Sequence, residues 1–480
     1  MIALRPGLLA AGIVLLTGCA IPPRPTHPDL TATAPLAGVG SSSTAAWPDA
    51  QWWQRYGDEQ LDHLQALALR SAPTLAVARA RFDQAMRQTD VVRAEGGLSI
   101  SGSAQVQRDR LSEHGLIPSR FLGFTWYNQG DLGVQFQYDF DFWGSHGADI
   151  AAATSRARAA QAERAAAQSV LTAAVAQTYF QWQADQARLA ILREIVTGYE
   201  HGRAIVAARA RQGLDADDNV HRADADLAAA REQIATIEGD ARIQQAALAG
   251  LLGAAPAELP ALVARPLPSA DTALPADAGL DLLARRADVA ASRWRVEAAL
   301  KDVDVARDAF YPDLSLSAMA GLSSIDLGKL LSPGSAVVAA GPALHLPIFE
   351  GGRLRARFGV SKAALGAAVA DYNAAVVDAA HDAATQALSL RQIRERQEQN
   401  ALQLAAQQRL LASARARMQR GLTDAIPVLD AARTLDRQRD ATVQLDAAAL
   451  AAEISLTRAL GGGYRAEAAL EPTPPGAHSP

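Results

Sequence analysis

One cysteine and two small groups of aspartates are the residues whose type and placement suit particular chemistry. Cys19 is the only cysteine among 480 residues, so it forms no disulfide within the chain. It follows Arg5, an apolar run from Leu8 to Leu16, and then Thr17-Gly18. A charged start, a short apolar stretch and small residues before a cut site read as a secretory signal, too short to span a bilayer stably. A lone thiol at that point matches the bacterial lipoprotein signal, in which the sulfur takes a lipid and becomes residue one. The aspartates lie just past two glycines. Asp215, Asp217 and Asp218 follow Gly213-Leu214, and Asp424 and Asp430 follow Gly421-Leu422-Thr423. Carboxylates at the start of a returning helix offset its positive N-terminal dipole. Catalytic and metal chemistry find no candidates. The nine histidines include no His-x-x-x-His pair with a helical Glu, and CxxC, GxGxxG and GxSxG are absent. No enzyme activity, cofactor or metal is therefore expected.

Those residues need elements to hold them, and the elements come twice. Arg211-Gln212-Gly213-Leu214 returns as Gln419-Arg420-Gly421-Leu422, and Leu252-Gly253 as Leu460-Gly461, about 208 residues later. Arg81–Arg93 aligns with Arg295–Arg307, and Phe142-Trp143-Gly144 stands a similar distance before Ile348-Phe349-Glu350. Anchors in one order at near-constant spacing mean two copies of one structural unit. The expected layout is a signal peptide over 1–18 and a lipidated tether over 19–46. A first repeat over 47–262, a second over 263–463 and a disordered tail over 464–480 follow. The tether is rich in Pro, Thr and Ser and reads as extended.

Composition points to long helices. The chain is 49% hydrophobic, with ten Phe and eight Tyr, and much of the apolar fraction is alanine. A net charge of −5, spread along the chain, gives no sign of a nucleic-acid partner. After the signal no window is long and apolar enough for a helical membrane span. Ser145–Gln212 and Arg353–Arg420 lack proline, and each predicts a helix of about 100 Å at about 1.5 Å per residue. Leu171, Val175, Thr178, Trp182, Asp185, Leu189, Leu192 and Val196 recur at alternating steps of four and three, a coiled-coil seam. Leu390, Ile393, Gln397, Asn400, Leu404, Gln407, Leu411, Ala414 and Met418 repeat it in the second copy. Each helix stops at a Gly-Leu turn and a second helix runs back, so each repeat predicts an antiparallel helical hairpin.

Strands complete each repeat. Leu98–Gln107 and Leu132–Phe142 alternate apolar and polar residues, as do Leu314–Ala318 and, more weakly, Ala336–Leu346. That period suits a transmembrane strand with one face to lipid and one to a wet lumen, and equally a soluble sheet with one buried face. The lipoprotein signal and the large aromatics on one side favour lipid. Four strands cannot close a barrel, because an open edge in lipid leaves backbone groups unsatisfied. The barrel must be shared between chains: two copies give eight strands, three give twelve and four give sixteen.

Four stretches resemble the signatures of outer membrane efflux proteins, the TolC-like exit ducts. They are Trp52-Trp53-Gln54-Arg55-Tyr56-Gly57-Asp58, Arg286-Ala287-Asp288-Val289, Tyr311-Pro312-Asp313-Leu314-Ser315-Leu316, and Pro347-Ile348-Phe349-Glu350-Gly351-Gly352-Arg353. The chain is similar to the lipoprotein branch, of NodT type, which serves resistance-nodulation-division pumps. The likeness runs from about Trp47 to Gly463 and departs locally, as at Gly96-Gly97-Leu98 and Ser71-Ala72-Pro73. It implies a mainly α protein with a transmembrane β part: a homotrimer with a twelve-stranded barrel in the outer membrane, continued by a helical tunnel in the periplasm. Ala20 rather than Asp after Cys19 fits that membrane by similarity to sorted lipoproteins. The implied partners are a periplasmic adaptor, an inner-membrane pump and outer membrane lipid, with transported solutes such as drugs unspecified. The resemblance places Gly213, Leu214, Asp215, Gly421, Leu422 and Thr423 where hairpin tips meet the adaptor. It also implies a periplasmic gate at Asp430, with Asp424, Asp217 and Asp218 adding charge; Pro427 departs from the acidic pattern of some relatives. Such residues, repeated around an axis, attract cations. A periplasmic adaptor or a structural envelope lipoprotein is the competing class, but an adaptor carries one hairpin with compact β domains.

Overall fold

The computed structural model describes residues 21–36, 46–112, 114, 119–271, 273–275 and 278–466. Cys19, the signal over 1–18 and the tail beyond 466 lie outside the described residues, so the expectations made there rest on sequence. The elements run in two matching series. The first is α1 (Glu59–Ser71), α2 (Pro73–Glu95), β1 (Ser99–Arg110), the single turn α3 (Ser119–Leu122), β2 (Trp126–Phe140), α4 (Ser145–Arg211) and α5 (Asp217–Leu252). The second is α6 (Ala278–Arg285), α7 (Ala287–Asp308), β3 (Asp313–Ser324), β4 (Ala336–His345), α8 (Arg353–Gln419) and α9 (Ile426–Ala459).

Two compact units cut across this repeat. Among the described residues, one takes those up to 29, those within 83–158 and 294–370; the other takes those within 30–82, 159–293 and from 371 onward. The first holds all four strands, in one antiparallel sheet of order β1-β2-β3-β4. Register joins the repeats: Ile100 faces Phe136, Phe136 faces Ala318, and Ala318 faces Ala340. β1 and β4 each have one strand neighbour in this sheet, which leaves two open edges. The observed β2 begins at Trp126, six residues before the predicted Leu132. Asn128, Gly130 and Asp131 read as turn residues, yet pairing with β1 carries the strand on to Trp126 opposite Arg110.

The second unit is helical, and its core begins with the tryptophans. Trp52 and Trp53 are buried with Leu61, Leu64, Tyr179, Phe180, Leu248 and Ile454. Asp58 caps α1 through the backbone N–H groups of Gln60 and Leu61, at 3.0 and 3.3 Å. The Tyr179 hydroxyl donates to Asp58 at 2.6 Å, and Arg265 pairs with it at 3.0 Å. Arg286 ties the second repeat in the same way. Its guanidinium donates to Asp288, Asp382 and the Ala459 carbonyl while the residue is only 8% exposed. A buried ion pair broken on one side costs about 3–5 kcal/mol. The Trp-Trp and Arg-Ala-Asp stretches are thus fold anchors. The repeat shows in packing as well. The αL turn at Gly253 leaves 2.9 Å between an added Cβ and the Ser71 carbonyl, and Gly461 leaves still less room before the Arg285 carbonyl. Only a residue without Cβ lets each hairpin's end abut the junction between its repeat's first two helices.

Residues 31–36 run without regular secondary structure beside α8. Thr31 donates through its N–H and its hydroxyl to the Asn373 side chain at 3.1 and 2.8 Å, and the Tyr372 hydroxyl donates to the Thr31 carbonyl at 3.1 Å. No helix of the described residues is long and apolar enough to cross a membrane.

Candidate functional site

Two places carry unusual chemistry, and each is described in its own unit. The first is the sheet. Its register sorts side chains onto two faces. On one lie Ile100, Val106, Leu132, Val134, Phe136, Tyr138, Phe140, Leu314, Leu316, Val338 and Leu344. This face is open: Ile100 is 59% exposed, Val338 78% and Leu344 70%. On the other face lie Ser101, Gln105, Gln107, Asp109, Gln129, Asp131, Gln135, Gln137 and Ser317. These bond along the strands, Gln105 to Gln107 at 2.6 Å, Gln107 to Asp109 at 2.9 Å and Gln129 to Asp131 at 3.2 Å. Ser323 donates across to Asp131 at 2.7 Å. Aromatics mark both ends of the apolar face. Trp126 lies under Arg108 at one end; Phe140 and Phe142 stack at the other. Beyond Phe142, Trp143 stacks on Tyr311 and donates its indole N–H to the Pro312 carbonyl at 2.7 Å. A large exposed apolar band with aromatic ends and a polar reverse face suits a wall between lipid and water.

The second place is the pair of hairpin tips. α4 and α5 pack through Leu189, Leu192, Ile195, Ala230 and Ile237. α8 and α9 are joined by polar rungs, Gln397 to Asp446 and Asn400 to Thr442, each at 2.7 Å. The predicted seams face inward at Leu171, Val175, Trp182, Asp185, Leu189, Leu192, Leu390, Asn400 and Leu411, whereas Met418 at the far end is exposed. Both tips close with one motif. The Leu214 N–H reaches the Arg209 carbonyl at 2.9 Å and the Gly213 N–H the Ala210 carbonyl at 2.9 Å. The Leu422 N–H reaches the Arg417 carbonyl at 3.0 Å and the Gly421 N–H the Met418 carbonyl at 2.9 Å. This is the Schellman closure, which needs φ above zero at the glycine; φ is 71° at Gly213 and 68° at Gly421. The following leucines project outward, Leu214 at 63% exposure and Leu422 at 71%.

The acidic residues near the tips divide by partner. Asp215 accepts from Asn219 and from the Ala216 N–H, and Arg209 stands 3.5 Å away. The Asn219 bond first, then the Ala216 N–H and Arg209, holds its carboxyl below the usual carboxylate range against the effect of burial. Asp424 accepts from the Ile426 N–H at 3.2 Å and also faces Arg209 at 3.5 Å. Arg209 therefore bridges the two hairpin tips. Asp217 and Asp218 occupy the exposed first turn of α5. Asp430 lies one turn into α9, its side chain 65% exposed, with Arg433 at 3.7 Å. Arg433 also pairs with Asp226 at 3.3 Å and lies over the Tyr199 ring at 4.5 Å. Higher up, Arg188 pairs with Asp440 at 2.6 Å and Arg439 with Glu194 at 3.0 Å. Sequence reasoning missed these arginines. Each meets an acid of the other hairpin, 207 to 252 residues away in sequence, and no local pattern announces such a pair. Among the described residues no group of three or more His, Cys, Asp or Glu could hold a metal ion.

Comparison with known proteins adds the family. The outer membrane efflux protein profile matches residues 64–254 and 280–462. The chain is 32% identical over 470 residues to the multidrug resistance outer membrane protein MdtP of Shigella flexneri, covering 95% of this chain and 96% of that one. It is 32% identical over 468 residues to MdtQ of Escherichia coli O6:H1, covering 94% and 97%. The fold superposes on the outer membrane protein VceC of Vibrio cholerae with a TM-score of 0.76 at 32% identity, over 87% of this chain and 100% of that one. The outer-membrane channel OprN gives a TM-score of 0.82 at 27% identity, over 92% and 98%.

Proposed function

Because the chain belongs to the outer membrane efflux protein family, and is an outer membrane exit duct of an efflux pump, we propose that three copies close its four-stranded sheets into one twelve-stranded barrel. The observation that carries this reading is the sheet itself. It has an exposed apolar face, a hydrogen-bonded polar face and two open edges. An edge in lipid leaves each unpaired N–H and C=O several kcal/mol worse off, about the cost of a lost hydrogen bond in hydrocarbon. Pairing β4 of one copy with β1 of the next removes every edge. The apolar face then meets lipid, and the Gln, Ser and Asp face lines a water-filled lumen.

The chain divides by this reading into a signal, a tether lipidated at Cys19, two efflux repeats over 47–262 and 263–463, and a terminal tail. The hairpins extend in the periplasm. Their tips at Gly213-Leu214-Asp215 and Gly421-Leu422-Thr423 receive the adaptor, whose inner-membrane pump is of the resistance-nodulation-division type. The exposed Leu214 and Leu422 supply apolar contacts. Asp430 faces the axis and, with Asp424, Asp217 and Asp218, makes the entrance cation-selective. The Arg209 bridge and the Arg433 cluster hold the two hairpins together at that mouth. The relatives named above are called multidrug resistance proteins, and drugs are the cargo class that this likeness supports. Deleting the gene should raise accumulation of a fluorescent pump substrate, and the intact gene supplied in trans should restore export. Unchanged accumulation in a strain with no second duct for that pump would count against the reading.

A further inference from the structure

In the strand-bearing unit a cavity of about 460 Å³ opens where helices meet strands. It is walled by the start of α4, the end of α7 and the extended segment 24–27. Its size is that of a small-molecule site, about 300–1,000 Å³. Its lining, however, is polar and charged. Arg24, Lys301 and Arg307 face Asp304 and Asp308, with His27 and Trp143 at the wall. Three cations oppose two carboxylates, and burial pushes the Asp308 carboxyl up toward its neutral form, with Arg307 opposing.

The cations differ in how far they are committed. Arg307 is spent on the fold. It donates to the Pro22 carbonyl at 3.0 Å and the Tyr311 hydroxyl at 2.8 Å, and pairs with Asp308 at 3.5 Å. Its side chain is only 13% exposed. Lys301 has only an i,i+3 pair with Asp304, at 3.2 Å and 40% exposed, a contact worth about 1 kcal/mol or less. Arg24 is exposed on a segment that Pro22, Pro23, Pro25 and Pro28 keep extended. Arg24 acts on Asp308 through space and Lys301 holds Asp304 only loosely, so against two carboxylates the three cations leave the cavity net positive and open to an anion.

Position says which anion. Trp143 borders the cavity, and it follows directly on Phe140 and Phe142, where the apolar face ends. Tryptophan at such an end marks the level of lipid headgroups. Basic pockets at that depth hold phosphate-bearing headgroups. We infer that this cavity binds the phosphate of an anionic phospholipid headgroup, through Arg24 and Lys301 with Trp143 as the floor. The choice of lipid as source rests on the membrane reading of the sheet; the phosphate site itself rests on the cavity's lining.

The test uses the purified full chain in uncharged detergent, followed by thermal unfolding. Micelles doped with phosphatidylglycerol should raise Tm in a saturable way, and micelles doped with diacylglycerol should not. The double variant Arg24→Glu with Lys301→Gln changes one exposed and one half-buried side chain, neither in the apolar core, and should weaken the apparent affinity by about tenfold or more while Tm without lipid stays near the parent's. A rise with phosphatidylglycerol alone supports a headgroup. An equal rise with inorganic phosphate supports the same site filled by a free anion. No rise with either, an equal rise with diacylglycerol, or a rise that survives the double variant overturns the inference. Efflux assays fail or succeed independently of this result, so the two readings are distinguishable.

Discussion

Asp185 sits in the α4 seam at 2% exposure, and only one of its carboxylate oxygens is bonded, to Gln181 at 3.1 Å. Burial pushes its carboxyl up, against the Gln181 bond and Arg188. An acid whose folded pKa is raised binds its proton more tightly folded than unfolded. Its contribution is therefore full below the ordinary value of about 3.9 and is lost as pH rises through the folded value. Asp185→Asn should accordingly raise Tm at pH 7 to 8, with the gain shrinking below about pH 4, where both forms are neutral. A gain that is independent of pH would assign the effect to packing instead. Asp430 belongs to the same scale. Its exposed carboxylate has Arg433 only at 3.7 Å, a contact too weak to neutralise it, as the proposed gate requires. In planar bilayers Asp430→Asn should weaken cation selectivity by about threefold or more, on the general rule that rings of carboxylates set cation preference. The parent's reversal potential retained by the mutant would place Asp430 off the axis. The aspartates by the tip glycines were legible in the sequence; the pairs Arg209–Asp424 and Arg433–Asp226 were not, because each joins one hairpin to the other.

Elements were read more securely than contacts. The helix predicted over Ser145–Gln212 is observed as Ser145–Arg211, and that over Arg353–Arg420 as Arg353–Gln419. Absence of proline and a terminal glycine suffice for such limits, because they act on the backbone directly. Strands were harder. Ala336–His345 was found as Ala336–Leu346 from a weak alternation, while β2 was started too late because its polar first half resembles a turn. The pairing of β2 with β3, which joins the two repeats, carries no local signal at all. Gly213 and Gly421 make the testable case for elements. An added Cβ at either meets open space, so a substitution strains only the backbone, by about 1–2 kcal/mol in the left-handed region. Gly213→Val with Gly421→Val should therefore leave the assembled protein in the membrane and yet abolish pump-dependent resistance, because the altered tips no longer fit the adaptor. Loss of assembly in that variant would make the tips structural only.

At the scale of the whole molecule, anchoring and assembly are separate matters. The lipid proposed for Cys19 would add about 0.8 kcal/mol per buried CH₂. Cys19→Ala should abolish labelling by a fatty-acid probe, while the barrel keeps the protein in the outer membrane; labelling that persists would exclude Cys19 as the acceptor. Assembly follows from strand count. The sheet of four strands has an apolar face and two open edges, and neither is tolerable in lipid or in water for a lone chain. Sequence periodicity gave the two faces and the impossibility of closure, but twelve strands rather than eight or sixteen rests on family resemblance. The most direct measurement is the mass of the detergent-solubilised protein by light scattering with the detergent's share subtracted. Three chains per particle is the expected result. A folded, stable particle of one chain would contradict the shared barrel, and with it the account of how this chain forms a duct.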